Sequence, residues 1–175
     1  MTTPAFAAEA AVYGRSLLLA DGDLVVRDGS LVMIAGRANL EQGLMLRILT
    51  PWGDDRLTAT YGLDATDVFT VGLPRALAKE VLRLNLVRTL AGDPRVASVD
   101  QVLFDDDPAY LAAHPEAAGG APAGRRVAVV EVTVQPVSPR PGTGGGAVSG
   151  AQLAATAGGS LADLAAITLS TDVRW

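Results

Sequence analysis

The segment Arg75–Leu90 contains neither glycine nor proline, and residues that break helices stand at both of its ends. Pro74 suits the first position of a helix, whereas Gly92 and Pro94 end one. The segment therefore predicts a helix of about four turns. A helix of this length must bury its apolar side chains, so its faces decide how the other elements of the chain can pack.

Apolar side chains occupy two faces of this predicted helix. The first face carries Leu73, Leu77, Val81 and Leu84, and the nearly opposite face carries Leu82, Leu86 and Leu90. The basic residues Arg75, Lys79 and Arg83 follow one another at steps of four, close beside the second face. Two apolar faces predict burial on both sides. We expect one face to pack on the chain's own sheet and the other, rimmed by the three basic residues, to contact another subunit.

Strands are predicted on both sides of the long helix. Asp28-Gly29 separates the apolar runs Leu24–Arg27 and Ser30–Ala35, and a two-residue Asp-Gly loop favours a β-hairpin because both turn residues need positive φ. After the helix, Val96–Phe104 and Val127–Val134 have the composition of strands, the second with alternating apolar residues that mark one buried face. We expect these two strands to pair.

A shorter helix and a loop complete the predicted domain. Asn39, with Gln42 three residues later, has the pattern of a helix N-cap with a capping box, and apolar residues at helical spacing follow over Leu40–Leu49. Pro51 ends this helix. Prolines and glycines in Asp105–Gly124 predict an extended surface loop.

The elements together predict an α+β fold, with a small, mostly antiparallel sheet packed by a short and a long helix. We expect residues 1–20 to form an N-terminal arm, 21–136 the domain, 137–160 a flexible linker rich in glycine and proline, and 161–175 a β-prone segment. The end of that segment, Ile167–Trp175, is predicted to dock on a neighbouring subunit through Ile167, Leu169 and Trp175. That it instead completes the chain's own sheet remains an open alternative.

Composition excludes several classes of function. The net charge of −5 gives no electrostatic basis for binding nucleic acid or an anionic membrane, and no apolar stretch approaches the roughly 18 residues of a membrane span. The chain has no cysteine and a single histidine, His114, so thiolate and imidazole metal sites are not expected. The beginning of the chain carries Glu9 and lacks a basic segment before an apolar run, which predicts no signal peptide and synthesis in the cytoplasm.

Candidate catalytic and ligand-binding motifs are weak. The acidic run Asp105–Asp107 lacks the spacing of a calcium loop, and Gly142–Gly146 lacks the lysine of a phosphate-binding loop. No cofactor, metal or catalytic residue is therefore predicted. Asp93-Pro94-Arg95 is the better candidate, because proline rigidifies the exit from the long helix and holds a carboxylate and a guanidinium beside it. We expect either an anchor on a partner or a helix stop with two surface charges.

The order of short motifs resembles the sheath-initiator family of contractile-tail baseplates. The residues that carry the resemblance are Asp21-Gly22-Asp23-Leu24, Gly36–Leu44, Arg47–Asp54, Tyr61-Gly62 and Asp93-Pro94-Arg95. They match, in order, the family's Gly-Asp-Leu, Asn-Leu-x-Gln, Leu-Thr-x-x-Gly-Glu, Tyr-Gly and Glu-Pro-Arg patterns. Asp54 and Asp93 depart from the family by replacing a glutamate.

The resemblance implies a non-enzymatic subunit, present in several copies in a sixfold baseplate of a contractile tail or tail-like injection particle. Its implied partners are baseplate wedge proteins, gripped by the Asp93–Arg95 region, the sheath protein, and tube or spike-hub proteins. Two alternatives remain open: a small hydrolase of cell-wall glycan, because tail particles carry such enzymes, and a separate ligand-binding module.

Overall fold

The structure of the protein, a computed structural model, describes residues 4–119, 127–138 and 166–174. These residues form an α+β fold with short antiparallel sheets, as predicted. The helices are α1 (Pro4–Tyr13), α2 (Arg37–Leu49), α3 (Thr66–Thr70), α4 (Arg75–Ala91), α5 (Pro108–Ala113) and a 3-10 helix (Pro115–Gly119). The strands are β1 (Arg15–Leu17), β2 (Leu19–Ala20), β3 (Asp23–Leu24), β4 (Val26–Arg27), β5 (Ser30–Leu31), β6 (Met33–Ala35), β7 (Val96–Phe104), β8 (Val127–Pro136) and β9 (Ile167–Arg174).

Three short antiparallel ribbons, β1–β6, β2–β3 and β4–β5, meet at one point. At that point Leu18, Val25 and Val32 close a ring of backbone hydrogen bonds. Leu18 N–H donates to Val32 O at 2.8 Å, Val32 N–H to Val25 O at 2.9 Å, and Val25 N–H to Leu18 O at 3.0 Å. The junction pairs three backbone N–H groups with three carbonyls that would otherwise lack hydrogen-bond partners between the ribbons.

The turns of two of the ribbons come from a heptapeptide that occurs twice in succession. Leu18–Leu24 and Val25–Leu31 share the order aliphatic, aliphatic, any residue, Asp, Gly, any residue, Leu. The Asp-Gly pair of each copy forms a two-residue turn: Asp28 and Gly29 have φ of 49° and 75°, and Asp21 and Gly22 have φ of 52° and 84°. The predicted Asp28-Gly29 turn is confirmed, and its two arms pair over only two residues each.

Helix α2 begins at Arg37, so Asn39 lies inside the helix and the predicted N-cap at Asn39 is wrong. Its side chain instead binds the segment that precedes the ribbons: Asn39 Nδ2 donates to Tyr13 O at 2.7 Å, and Asn39 Oδ1 accepts from Ser16 Oγ. Gln42 brackets Leu18, because its Oε1 accepts from Leu19 N–H and its Nε2 donates to Leu17 O, each at 2.9 Å. Two amide side chains thus fasten the ribbons to α2.

Helix α4 packs on β7 with the face that carries Leu82, Leu86 and Leu90, all of which are fully buried. This is the face bordered by basic residues, so the prediction that the basic rim marks the outward face is wrong. The outward face is the other one, where Leu77 and Leu84 are exposed. The basic stripe lies on the sheet side of α4 because acidic residues immediately after β7 pair with it.

The three-stranded sheet has the order β7-β8-β9, and both pairings are antiparallel. The predicted pairing of the first two strands is confirmed. β9 runs beside β8 from Ile167 opposite Val134 to Arg174 opposite Val127, which buries Ile167 and Leu169 in the chain's own core. The structure therefore differs from the predicted docking of Ile167 and Leu169 on a neighbour, because their own sheet already covers them. Trp175 and residues 139–165 lie outside the described residues.

Two further expectations differ from the structure. Residues 4–20 are part of the domain rather than a separate arm, since Tyr13 is buried and its hydroxyl donates to Val137 O at 2.6 Å. Within the predicted loop Asp105–Gly124, Pro108 starts the short helix α5. Proline favours the first turn of a helix as well as a loop, which explains why the composition alone was misleading. Residues 120–124 are outside the described ranges.

Replacing Ile167 by alanine should lower the free energy of unfolding of the isolated chain by about 2–5 kcal/mol, because it leaves a cavity beside the core. Thr168→Ala is the matched control, since Thr168 is exposed on the same strand. Urea denaturation followed by circular dichroism measures both. Equal stability of the Ile167→Ala variant and the parent would mean that β9 leaves this sheet in solution.

Candidate functional site

The strongest site candidate from the sequence, Asp93-Pro94-Arg95, lies where α4 turns into β7. Gly92 caps α4, and Asp93 N–H donates to Leu90 O at 3.0 Å. Val96 N–H then donates to Asp93 O at 3.0 Å, which starts β7 in a tight turn. Pro94 is exposed at the tip of this turn. Two backbone hydrogen bonds therefore close the turn between α4 and β7.

Asp93 and Arg95 form a two-pronged ion pair. Asp93 Oδ1 accepts from Arg95 Nε at 2.9 Å and from Arg95 N–H at 3.0 Å, and Asp93 Oδ2 accepts from Arg95 Nη2 at 2.8 Å. Asp93 is only 5% exposed. Burial opposes ionisation of this carboxyl, but the hydrogen bonds from the side chain and backbone of Arg95 outweigh it and hold the pKa of Asp93 below its ordinary value.

Arg95 also reaches two other elements. Its Nη1 donates to Tyr13 O at 3.2 Å, the same carbonyl that accepts from Asn39 at the end of α1. Its Nη2 lies 3.1 Å from the position that a Cβ on Gly43 would occupy, so the glycine in α2 leaves room for the guanidinium. The pair thus joins α1, α2 and the exit of α4. We name Asp93, Arg95, Tyr13 and Gly43 the internal clamp.

The internal clamp changes the interpretation of the triplet. The predicted anchor would present Asp93 and Arg95 to a partner, whereas both side chains make their contacts inside the chain. Only 28% of the Arg95 side chain is accessible. This geometry predicts that removing the Arg95 side chain destabilises the isolated fold.

Three further motif residues, Arg47, Tyr61 and Gly62, connect the turn after α2 to α4. Arg47 Nη1 donates to Thr89 O at 3.1 Å, and its guanidinium lies 5.0 Å from the centroid of the Tyr61 ring. Gly62 has a φ of 108°, and a Cβ there would stand 2.5 Å from Pro51 O. Only glycine fits this close approach. The Tyr61-Gly62 pair therefore tightens the turn after α2 against α4.

The basic stripe of α4 is engaged within the chain. The Nζ of Lys79 and the guanidinium of Arg83 each lie 5.2 Å from the Phe104 ring centroid. Arg83 Nη2 is 2.8 Å from Asp107 Oδ2, and Lys79 pairs with Asp106. Arg75 Nη2 is 3.4 Å from Asp106 Oδ2.

Lys79 is the least accessible member of the stripe, with 8% of its surface exposed. Burial, followed by the charge of Arg75, lowers its pKa. Its position beside Asp106 and Phe104 differs from the predicted rim of a partner-facing surface, because the acidic turn after β7 already neutralises the stripe.

The short ribbons expose apolar side chains that were not predicted from the sequence. Each ribbon carries one directly opposed apolar pair, whose two side chains lie on the same side of that ribbon. This ribbon face consists of Leu17, Leu19, Leu24, Val26, Leu31 and Met33. Its last four members are 45–59% exposed. The heptapeptide repeat is the signal in the sequence that would have found it.

His114, after α5, holds the loop that follows β7 against the sheet. Its Nε2 lies 3.0 Å from Glu131 Oε2 on β8, and its Nδ1 lies 3.3 Å from Glu116 Oε1. The hydrogen bond to Glu131 raises the pKa of His114 against a smaller opposing effect of burial, and Glu116 raises it further. Among the described residues, no three His, Asp or Glu side chains are grouped so that they could hold a metal ion.

None of the helices in the described part of the chain is long and apolar enough to cross a membrane. Comparison of the chain with protein-family models, curated proteins and solved structures found no match. The family resemblance therefore rests on the motif residues alone.

Replacing Arg95 by alanine should lower the free energy of unfolding by about 2–4 kcal/mol, because it leaves the buried Asp93 carboxylate without its partner, and partial exposure of Arg95 limits the loss. Arg56→Ala, at an exposed arginine, is the control. The double variant Asp93→Asn/Arg95→Ala should cost less than the two single changes added together. Thermal and urea denaturation give these values, and an Arg95→Ala variant as stable as Arg56→Ala would refute the internal clamp.

The midpoint of the His114 titration should lie above 6.5, its ordinary pKa. Because the folded pKa is raised, the contact stabilises the fold below about pH 6.5 and loses this effect as the pH rises through the folded pKa. Proton NMR of the single histidine measures the midpoint. Glu131→Gln should lower it more than Glu116→Gln does, and a midpoint at or below 6.5 in the parent would contradict the contact.

Proposed function

We propose that this chain is a non-enzymatic structural subunit in the baseplate of a contractile tail or tail-like injection particle. In this role it links the wedge core to the first ring of sheath and starts sheath assembly. The resemblance of its motifs to the sheath-initiator family supports the proposal, and so does the use that the fold makes of those motifs.

The observation that carries the proposal is the ribbon face. Four large apolar side chains are about half exposed on the three short ribbons around one junction: Leu24, Val26, Leu31 and Met33. Exposed apolar side chains grouped in this way mark a surface that another protein covers. Their backbone is held by the hydrogen-bonded ring of Leu18, Val25 and Val32, so the face is formed before any partner binds.

The motif residues support a structural role because they act as fasteners between elements. Asn39 and Gln42 tie the ribbons to α2, Gly62 permits a close backbone approach, and Asp93 and Arg95 form the internal clamp. Each of these residues makes its contacts between elements of the chain. Residues that hold structural elements together in this way suit a protein whose function is structural.

The three-stranded sheet offers a means of joining the sheath. In the described part of the chain, β9 has a neighbouring strand on one side only. The other side is an edge to which a strand of a sheath protein can add by main-chain hydrogen bonds. On this proposal β9 stays in its own sheet and serves as the template, which replaces the idea that it leaves the domain to dock.

The proposal is tested by assembling particles from this chain with the wedge and sheath proteins of the same particle. Leu31→Asp should abolish incorporation into the baseplate, because it puts a charge in the centre of the ribbon face, while stability changes by no more than about 0.5 kcal/mol. Leu57→Asp is the control, since Leu57 is 96% exposed and outside that face. Electron microscopy and co-purification report the outcome.

Normal incorporation of the Leu31→Asp variant would contradict a role for the ribbon face. Release of peptidoglycan fragments by the purified protein, lost on replacing a single carboxylate, would overturn the structural function in favour of the glycan hydrolase.

A further inference from the structure

Helix α4 has an apolar seam on the side that faces away from the sheet. Leu77, Leu84 and Val87 are 49%, 69% and 36% exposed, and Ala91 is exposed one turn further on. Leu77, Leu84 and Ala91 recur at intervals of seven, which is the spacing of residues that face a partner helix. We call Leu77, Leu84, Val87 and Ala91 the α4 seam.

Two opposite charges border the α4 seam symmetrically. Glu80 precedes Leu84 by four residues and Arg88 follows it by four. Glu80 is exposed and pairs with Arg83 on the neighbouring turn. Arg88 is exposed as well, and no ion pair joins it to any residue in the described ranges.

We propose that the α4 seam binds the same seam of a second copy of this chain, with the two helices antiparallel and a twofold axis passing beside Leu84. In this arrangement the Leu84 residues of the two copies meet at the centre. Leu77 of each copy lies at the level of Ala91 of the other. Glu80 of each copy lies at the level of Arg88 of the other, so two intermolecular ion pairs flank the apolar centre.

Charge selects the antiparallel arrangement. In a parallel pair the same residues would stand at the same level, so Glu80 would face Glu80 and Arg88 would face Arg88. Like charges placed opposite each other across an interface disfavour it. A second copy therefore pairs Arg88, gives Glu80 a second partner beside Arg83 and covers the apolar residues with one symmetric contact. An unrelated helix would do this only by coincidence of sequence.

The contact is small. A helix of 17 residues is about 25 Å long, and one pair of such helices covers less area than a standard stable interface. We therefore expect dissociation constants in the micromolar range or weaker for the free protein. The association does not depend on the proposed baseplate function, although several copies held in one particle would favour it by raising the local concentration.

A crosslinking experiment tests the twofold axis. The chain has no cysteine, so Leu84→Cys introduces a single thiol. In a redox buffer the full-length variant should form a disulfide-linked dimer at least about tenfold faster than Leu57→Cys, whose thiol is more exposed but lies outside the α4 seam. Equal rates for the two variants would overturn the proposal.

A charge exchange tests the antiparallel orientation. Glu80→Lys alone and Arg88→Glu alone should each weaken self-association, measured by analytical ultracentrifugation, by about tenfold, because each makes two like-charge contacts. An equimolar mixture of the two variants should associate as the parent does. In a mixed pair the introduced lysine faces the introduced glutamate, and the unchanged Glu80 of one copy faces the unchanged Arg88 of the other.

Circular dichroism provides the control that each variant is folded. A parent that stays monomeric at every concentration, or a mixture that associates no better than its components, would overturn the proposal.

Discussion

The ion pair between Asp93 and Arg95 holds the architecture together. Asp93 fixes the end of α4 and the start of β7 with its backbone, and its carboxylate orients the Arg95 guanidinium. The guanidinium then binds the last carbonyl of α1 beside Gly43 of α2. Because a buried carboxylate is costly without its partner, the pair couples the placement of three helices to one turn.

The ribbons depend on that placement. The carbonyl of Tyr13 accepts hydrogen bonds from both Arg95 and Asn39, so the clamp and α2 hold the same point of the chain. From there Gln42 aligns the ribbons through the backbone on either side of Leu18. The apolar ribbon face is therefore presented by a framework that the clamp supports, although Asp93 and Arg95 lie far from the face in the sequence. The packing of the helices and the position of the ribbon face are thus linked by hydrogen bonds from side chains to the backbone.

Charge decides which side of α4 faces the sheet. Lys79 and Arg83 lie beside Phe104, where Asp106 and Asp107 neutralise them at the end of β7. With that face occupied, Leu77 and Leu84 are left outside. The same helix thus contributes to the core through one row of leucines and to the surface through another.

Local rules determined much of this protein from sequence alone. The bounds of α4 follow from Pro74 and Gly92, the Asp28-Gly29 turn from the need for positive φ, and the strand Val96–Phe104 from its composition, because each depends on neighbours in the chain. Only the tertiary structure decided that Asn39 is a fastener rather than a cap, that Arg95 turns inward, and that Ile167 completes the chain's own sheet. Asn39 binds the carbonyl of Tyr13, 26 positions away, and Arg95 binds the same carbonyl from 82 positions away. Ile167 pairs with a strand on the other side of residues 139–165. A local sequence pattern does not contain this information, because the free energy of a long-range contact depends on which surfaces the rest of the folded chain leaves uncovered.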